Sequence, residues 1–344
     1  MLTSTLRSRI KTVLQPFAGN RYAGLAAWLT YHRIAPNDYR PEEFSPNLSL
    51  FVTMDQFDRQ MRYVSENFNC IGIDEMIQKL RTGTVEPRSL VVTFDDGHRD
   101  NLELALPILK KYGVPAVIYV TTGFIGKTIR SFWWYDHELI VRKLDRIKLE
   151  WRGKVVSWRT SGRRAKENAF FELNSIFKSA SPEEQIKWMR QLREQAGVLE
   201  ESQTTDALSW EDLISLDREP LVTIGAHSVS HAVLSQLDPS ALRQEMSESK
   251  RTLEHKLGHP VAHFAYPFGS NKHAAKREFE TARECGFESA CTTRIGHIQK
   301  FHAHHLQSLP RMTVDYHDNL ESFGWKLSGL ECLIKRPWSR FIAD

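Results

Sequence analysis

The stretch Ser89-Leu-Val-Val-Thr-Phe-Asp-Asp-Gly97 decides how the rest of the chain is read. A short apolar run closed by a turn signal reads as a buried strand, and the acid-acid-glycine sequence falls where that strand must stop. Asp95 and Asp96 are therefore carried at a strand's C-terminal end. Folds built on parallel strands collect their ligands at that end, so the adjacent carboxylates are a candidate site, although Asp-Asp-Gly is also an ordinary turn. Residues elsewhere have to decide between the two.

Outward from this strand the pattern alternates. Leu25 to Ile34 reads as a strand that brings His32 near its end, and Thr53 caps a helix whose stripe is Phe57, Met61 and Val64. Ile73 to Leu80 is a second helix, stopped at Gly83. After Gly97 the sequence predicts a helix from Asn101 to Tyr112 and a strand from Pro115 to Thr121, which makes a βαβ unit. The alternation resumes with a helix from Trp210, a strand from Pro220 to Ala226, a helix opened by Asp238-Pro239 and running to Gly258, and a strand from Val261 to Tyr266. A helix to Cys285 and strands at Phe287–Thr292 and Ser308–Val314 complete it. Repeated strand and helix units of this number imply an α/β fold, either a parallel barrel or a doubly wound sheet.

Between 126 and 206 the alternation breaks. Trp133-Trp134-Tyr135, a hairpin pattern about Gly153 and charged helices to Gly197 read as an insertion. Its aromatic residues pack as core or form a wall on which flat sugar faces stack. The ends differ again: residues 1–24 carry an amphipathic helix with Arg7, Arg9 and Lys11, and 321–344 mix Trp325, Leu330 and Trp338 with Lys335, Arg336 and Arg340.

Composition sets the limits. A chain of 344 residues, 41% hydrophobic, can bury a full core, and a net charge of +4 from 46 basic and 42 acidic residues gives no reason to expect nucleic-acid binding. Cys70, Cys285, Cys291 and Cys332 lack the paired spacing of a zinc knuckle and the density of a disulfide scaffold. No segment approaches the roughly 20 apolar residues of a membrane span. The expectation is a cytoplasmic protein of unassigned oligomeric state, with the basic amphipathic ends as a candidate peripheral membrane contact.

His227 and His231 stand four apart just after a buried strand, as the aspartates do. An isolated pair of this kind is more often structural than metal-binding. One carboxylate and two histidines nevertheless form a three-ligand set that leaves positions open on a divalent cation, and a second carboxylate beside it can take a proton from water. Asp95 and Asp96 offer both functions from adjacent positions.

With these residues assembled, the sequence resembles the polysaccharide deacetylases with a NodB-homology domain, carbohydrate esterase family four. Thr93-Phe-Asp-Asp-Gly97 and His227-Ser-Val-Ser-His231 match two of that family's motifs, with Asp100-Asn101, Pro107-Ile-Leu and Gly113-Val-Pro-Ala between them. The resemblance implies a distorted (β/α) barrel over residues 25–320. It implies Asp95 as catalytic base and Asp96, His227 and His231 as ligands of a divalent metal, zinc by expectation. A third motif stands here as Ala265-Tyr-Pro-Phe-Gly269, so the family's arginine is replaced by Ala265 and its tyrosine by Phe268. Phe268 keeps the backbone N–H used against the oxyanion.

The family's late leucine-histidine motif is not evident. Phe301-His-Ala-His-His305 is expected to be a solvated loop. Phe264 to Gly269 instead resembles the subgroup that deacetylates poly-N-acetylglucosamine, whose last motif is permuted to the N-terminus; the match there is Thr30-Tyr31-His32, which makes His32 the general acid. Arg311 either replaces the missing arginine beside Asp95 or forms a surface salt bridge. The resemblance implies hydrolysis of N-acetyl groups on an N-acetylated saccharide, free, polymeric or lipid-linked. An O-acetyl esterase and a catalytically silent saccharide-binding protein are the alternatives.

Overall fold

The computed structural model describes residues 24–197 and 206–329. Of the basic ends expected at a membrane surface, 1–24 and 321–344, residues 1–23 and 330–344 lie outside the described residues, while the start of the second forms the helix Leu320–Leu327 with Phe323, Trp325 and Leu327 buried. Among the described residues no helix is long and apolar enough to cross a membrane.

Seven parallel strands close into a barrel: β1 (Ala26–Tyr31), β2 (Ser89–Phe94), β3 (Ala116–Val120), β4 (Val222–Ala226), β5 (His263–Ala265), β6 (Ser289–Ile295) and β7 (Leu309–Thr313). Each strand pairs with its neighbour in sequence, and β1 pairs with both β7 and β2, which shuts the ring. Of the two architectures that the alternation allowed, the barrel is the one formed.

Side-chain alternation divides the core into two layers. Leu90, Val92 and Phe94 of β2 point outward to the helices, together with Leu29 and Tyr31 of β1 and Ile118 of β3. Trp28, Val91, Val117, Tyr119, Cys291 and Leu309 fill the barrel's interior. The register pairs Thr30 with Thr93, so the inward series of β1 and β2 continue two residues on to His32 and Asp95. The same period that buries the core therefore delivers both residues to the mouth at the strands' carboxyl ends.

The helices follow their caps. Thr53 and Gln56 close a capping box on Met54–Asn67, Asp238 accepts from Ser240 and Ala241 N–H groups at the head of Pro239–Leu257, and Gly83 ends Ile73–Thr82 at φ 72°. The helix expected over 101–112 is divided: a π-helical turn, Asn101–Ala105, precedes Leu106–Tyr112. Pro107 explains the division, because it lacks an N–H and its ring crowds the carbonyl one turn back.

The insertion forms a helix, Trp133–Lys143, the hairpin Arg146–Trp151 and Lys154–Arg159, and the helices Arg163–Lys178 and Pro182–Ala196. Ile140, Leu149, Trp158, Phe170, Phe177 and Trp188 give it an apolar cluster of its own. The expected solvated loop at Phe301–His305 is corrected in part: His304 and His305 are exposed, but the segment forms a 3-10 turn with His302 buried, Nδ1 accepting from the Gln299 N–H at 2.8 Å. Ala303 and Leu306 beside it pack with Ile73, Met76 and Leu80 against the barrel's interior cluster.

Candidate active site

Strict alternation would send Asp96 away from Asp95. Instead Asp96 adopts φ 78°, a left-handed conformation that aspartate tolerates better than most residues, and Gly97 follows at 86°. The turn re-aims the second carboxylate. Ser228, His231 and Phe268 also have positive φ, at 61°, 53° and 60°, so four of the chain's seven described non-glycine residues of this kind surround one spot. Backbone held in such conformations marks sites where the surroundings overdetermine the geometry.

The loop after β4 is held over the mouth by continued pairing. His227 N–H donates to Val120 O at 2.9 Å, and Thr122 and Gly123 N–H groups donate to Ser228 and Val229 carbonyls. Glu245, from the helix Pro239–Leu257, accepts from Val229 and Ser230 N–H groups at 2.9 and 2.8 Å. His227 Nδ1 donates to Ala265 O at 2.7 Å, which leaves Nε2 as the bare ring nitrogen.

Asp96 Oδ1 is buried without a hydrogen-bond partner among the described residues. His227 Nε2 and His231 Nε2 lie 3.5 and 3.4 Å from it. Those separations are long for hydrogen bonds but match the edge of a tetrahedral zinc shell, about 3.3 Å for ligands at about 2.0–2.1 Å. Asp96, His227 and His231 are the group among the described residues whose donor atoms fit one ion. Burial pushes His227 down to about 4, keeping it neutral as a ligand must be. Burial alone would raise the Asp96 carboxyl, but His231 and His98 facing it hold it well below the ordinary range.

His98 is a residue the sequence reading missed. Its ring is buried, 3.5 Å from the second oxygen of Asp96, and flanked by Phe124 and Phe132. Its position next to Asp95-Asp96-Gly97 was the only available signal.

Asp95 turns to Arg311, which is wholly buried in the middle of β7. Nη1 and Nη2 each donate to one carboxylate oxygen at 2.7 Å, and Nε donates to Thr292 O at 3.0 Å, a carbonyl freed where the β6–β7 register shifts. Burial would raise the Asp95 carboxyl; Arg311, with His227 and His32 nearby, outweighs it, and the group stays below its usual value and ionised. Of the two expectations for Arg311, the geometry is that of the arginine beside Asp95 and not of a surface pair.

His32 lines the same cavity as Asp95, Asp96, His227, His231 and Phe268. Its Nδ1 has no hydrogen-bond partner among the described residues, and burial lowers its pKa against the pull of Asp96 and Asp95. Asn101 donates to its carbonyl at 3.0 Å, and Asp100 accepts from Ile34 N–H and Arg33 Nε, so the Asp100-Asn101 pair clamps the backbone that carries it. Phe268 O accepts from the Thr293 hydroxyl at 2.5 Å, while the Phe268 N–H makes no hydrogen bond among the described residues.

The cavity holds about 620 Å³, and the insertion supplies one wall through Trp133, Trp134, Phe171, Asn174 and Lys178. Trp134 is buried and Trp133 partly so, so these rings both pack and face the site. An adjoining cavity of about 690 Å³, lined by Ile186, Met189 and Val233, shares the Trp133–Trp134 partition but contains neither aspartate.

Residues 82–290 match the polysaccharide deacetylase family model. The chain belongs to the polysaccharide deacetylase family. It is 30% identical over 111 residues to the poly-beta-1,6-N-acetyl-D-glucosamine N-deacetylase of Staphylococcus aureus, across 29% of this chain and 37% of that protein. It is 22% identical to YxkH of Bacillus subtilis over 78% of this chain and 64% of the relative, so it spans less than two thirds of the length of either. Among solved structures, the Streptococcus pyogenes deacetylase PplD in complex with acetate superposes with a TM-score of 0.59 at 20% identity, covering 88% of this chain and 97% of PplD. IcaB from Ammonifex degensii gives 0.53 at 16% identity over 88% and 96%. At these identities the two structures show the fold, the (β/α) barrel of this deacetylase family.

Proposed function

We propose that the protein is a metal-dependent hydrolase that removes N-acetyl groups from N-acetylglucosamine-type saccharides. One observation carries the reading: adjacent carboxylates have been given opposite partners at one cavity, Asp96 facing the imidazoles of His227 and His231 and Asp95 held by both guanidinium nitrogens of Arg311. Family membership and the similarity to the staphylococcal N-deacetylase support it.

Asp96, His227 and His231 are the residues that would hold the cation. When bound, a zinc-like ion supplies Lewis acidity and lowers the pKa of a water toward about 7. Asp95 accepts the proton from the attacking water, held in orientation by the two guanidinium bonds. The Phe268 N–H donates to the oxyanion that develops on the acetyl carbonyl. His32 donates a proton to the departing amine, and the products are acetate and a free amino sugar. An amide needs that last proton because an unprotonated amine is a poor leaving group; an ester does not.

The test is acetate release from N-acetylglucosamine oligomers, beside an O-acetylated xylan and a metal-stripped control. The reading expects release from the oligomers, loss on chelation and return with zinc. Release from the O-acetyl substrate alone would establish the esterase alternative, and release from neither would favour a silent binder. The cytoplasmic location and a lipid-linked precursor stay part of the proposal, to be checked by fractionation.

A further inference from the structure

We propose that the saccharide taken by this site bears an anionic group, a phosphate or a carboxylate, and that Lys178 and Lys272 recognise it; this rests on the deacetylase reading and names its substrate class. Lys178 is the last residue of the insertion helix Arg163–Lys178, and Lys272 stands on the loop after β5, lining the same cavity. Neither forms an ion pair among the described residues. Lys178 is half-buried, and burial lowers its pKa, the mark of a charge that lacks compensation.

The two ammonium groups act on one place. His273, on the same cavity wall, is pushed to about 4, first by burial and then by Lys178 and Lys272, so it stays neutral and the lysines carry the charge. Asp95 and Asp96 are the carboxylates lining the cavity; Arg311 neutralises the first, and the second faces the metal position. The fixed charge of the remaining wall is positive. A neutral acetamido sugar offers these ammonium groups hydroxyl and carbonyl acceptors but no counter-charge.

The distances suit a group on the reacting sugar or its neighbour. The Phe268 ring lies 4.8 Å from the His231 ring and 5.1 Å from Lys178 Nζ, which places the ammonium within about 10 Å of that ligand ring. Trp133 stacks beside Phe268 at 5.8 Å, giving an apolar floor between metal position and ammonium. Contact with the Phe268 ring gives Lys178 a cation–π interaction but no counter-charge, and a purely structural lysine would do no more than make that contact.

Calorimetric titration with N-acetylglucosamine, its 6-phosphate and the corresponding 2-acetamido uronic acid separates these cases and tells phosphate from carboxylate. The wild-type protein should bind at least one anionic sugar tenfold or more tightly than the neutral one, with the difference shrinking as salt rises. That preference should fall at least fivefold in Lys178→Met, vanish in the double variant with Lys272→Met, and return in Lys178→Arg. Equal binding of all three sugars, or a preference unchanged in the double variant, would overturn the proposal. Anion preference without acetate release from any saccharide would leave it standing and sink the deacetylase reading; equal turnover of neutral and anionic oligomers with equal binding would do the reverse.

Discussion

Arg311 and Asp95, 216 positions apart in the chain, meet through two parallel hydrogen bonds of 2.7 Å inside the mouth of the barrel. The pair sets both the direction and the charge of the proposed base. Arg311→Lys keeps a cation but loses the fork, and kcat should fall about 100-fold, the scale of a misplacement of about 1 Å. Removing the guanidinium also lets burial raise the Asp95 carboxyl. A base with a raised pKa needs higher pH to ionise, so the acid limb of the kcat/KM profile should move to higher pH. Arg311→Met should in addition cost about 3–5 kcal/mol in denaturant unfolding, because it leaves a buried carboxylate alone.

His32→Ala should separate amide from ester hydrolysis. N-acetyl turnover should drop about 100-fold or more, while an activated O-acetyl ester on the same protein should lose less than about tenfold. Equal losses on both substrates would assign His32 to substrate binding instead of proton donation.

Much of this was legible in the sequence, for definite reasons. Leu90 to Phe94 could only be a strand buried on both faces, and the caps at Thr53, Asp238 and Gly83 lay at the ends the apolar stripes required. Ring closure came from the family resemblance and not from the strand pattern, because pairing of β1 with both β2 and β7 joins segments whose apolar runs fit many neighbours. The positive φ that turns Asp96 inward, the register shift that frees Thr292 O and the insertion's place as a cavity wall are likewise tertiary. Arg311 was visible only as an arginine with two possible fates until its burial was known.

His98 should govern metal retention. Its ring faces the Asp96 oxygen turned away from His227 and His231, as outer partners of ligating carboxylates do. His98→Phe should weaken zinc binding about 10- to 100-fold in a competition titration against a chromogenic chelator. Unchanged affinity would make His98 a packing residue of the aromatic cluster.

His137 gives the insertion a pH-dependent stability. Burial holds its pKa at about 4, with Nδ1 bonded to Asn174 Oδ1 at 2.7 Å. Above about pH 6.5 the ring is neutral both folded and unfolded. As pH falls from about 6.5 to about 4 the unfolded chain takes up a proton that the folded ring does not, so stability declines, by about 3 kcal/mol at most for this residue. His137→Phe should flatten that part of the unfolding profile; an unaltered slope would show that other groups carry it.

The division of labour between Asp95 and Asp96 is tested most directly by one variant. Asp95→Asn, assayed for acetate release from an N-acetylglucosamine oligomer with bound zinc counted in the same sample, should retain the metal and lose at least about 1,000-fold in kcat. Full turnover with zinc bound would contradict the account.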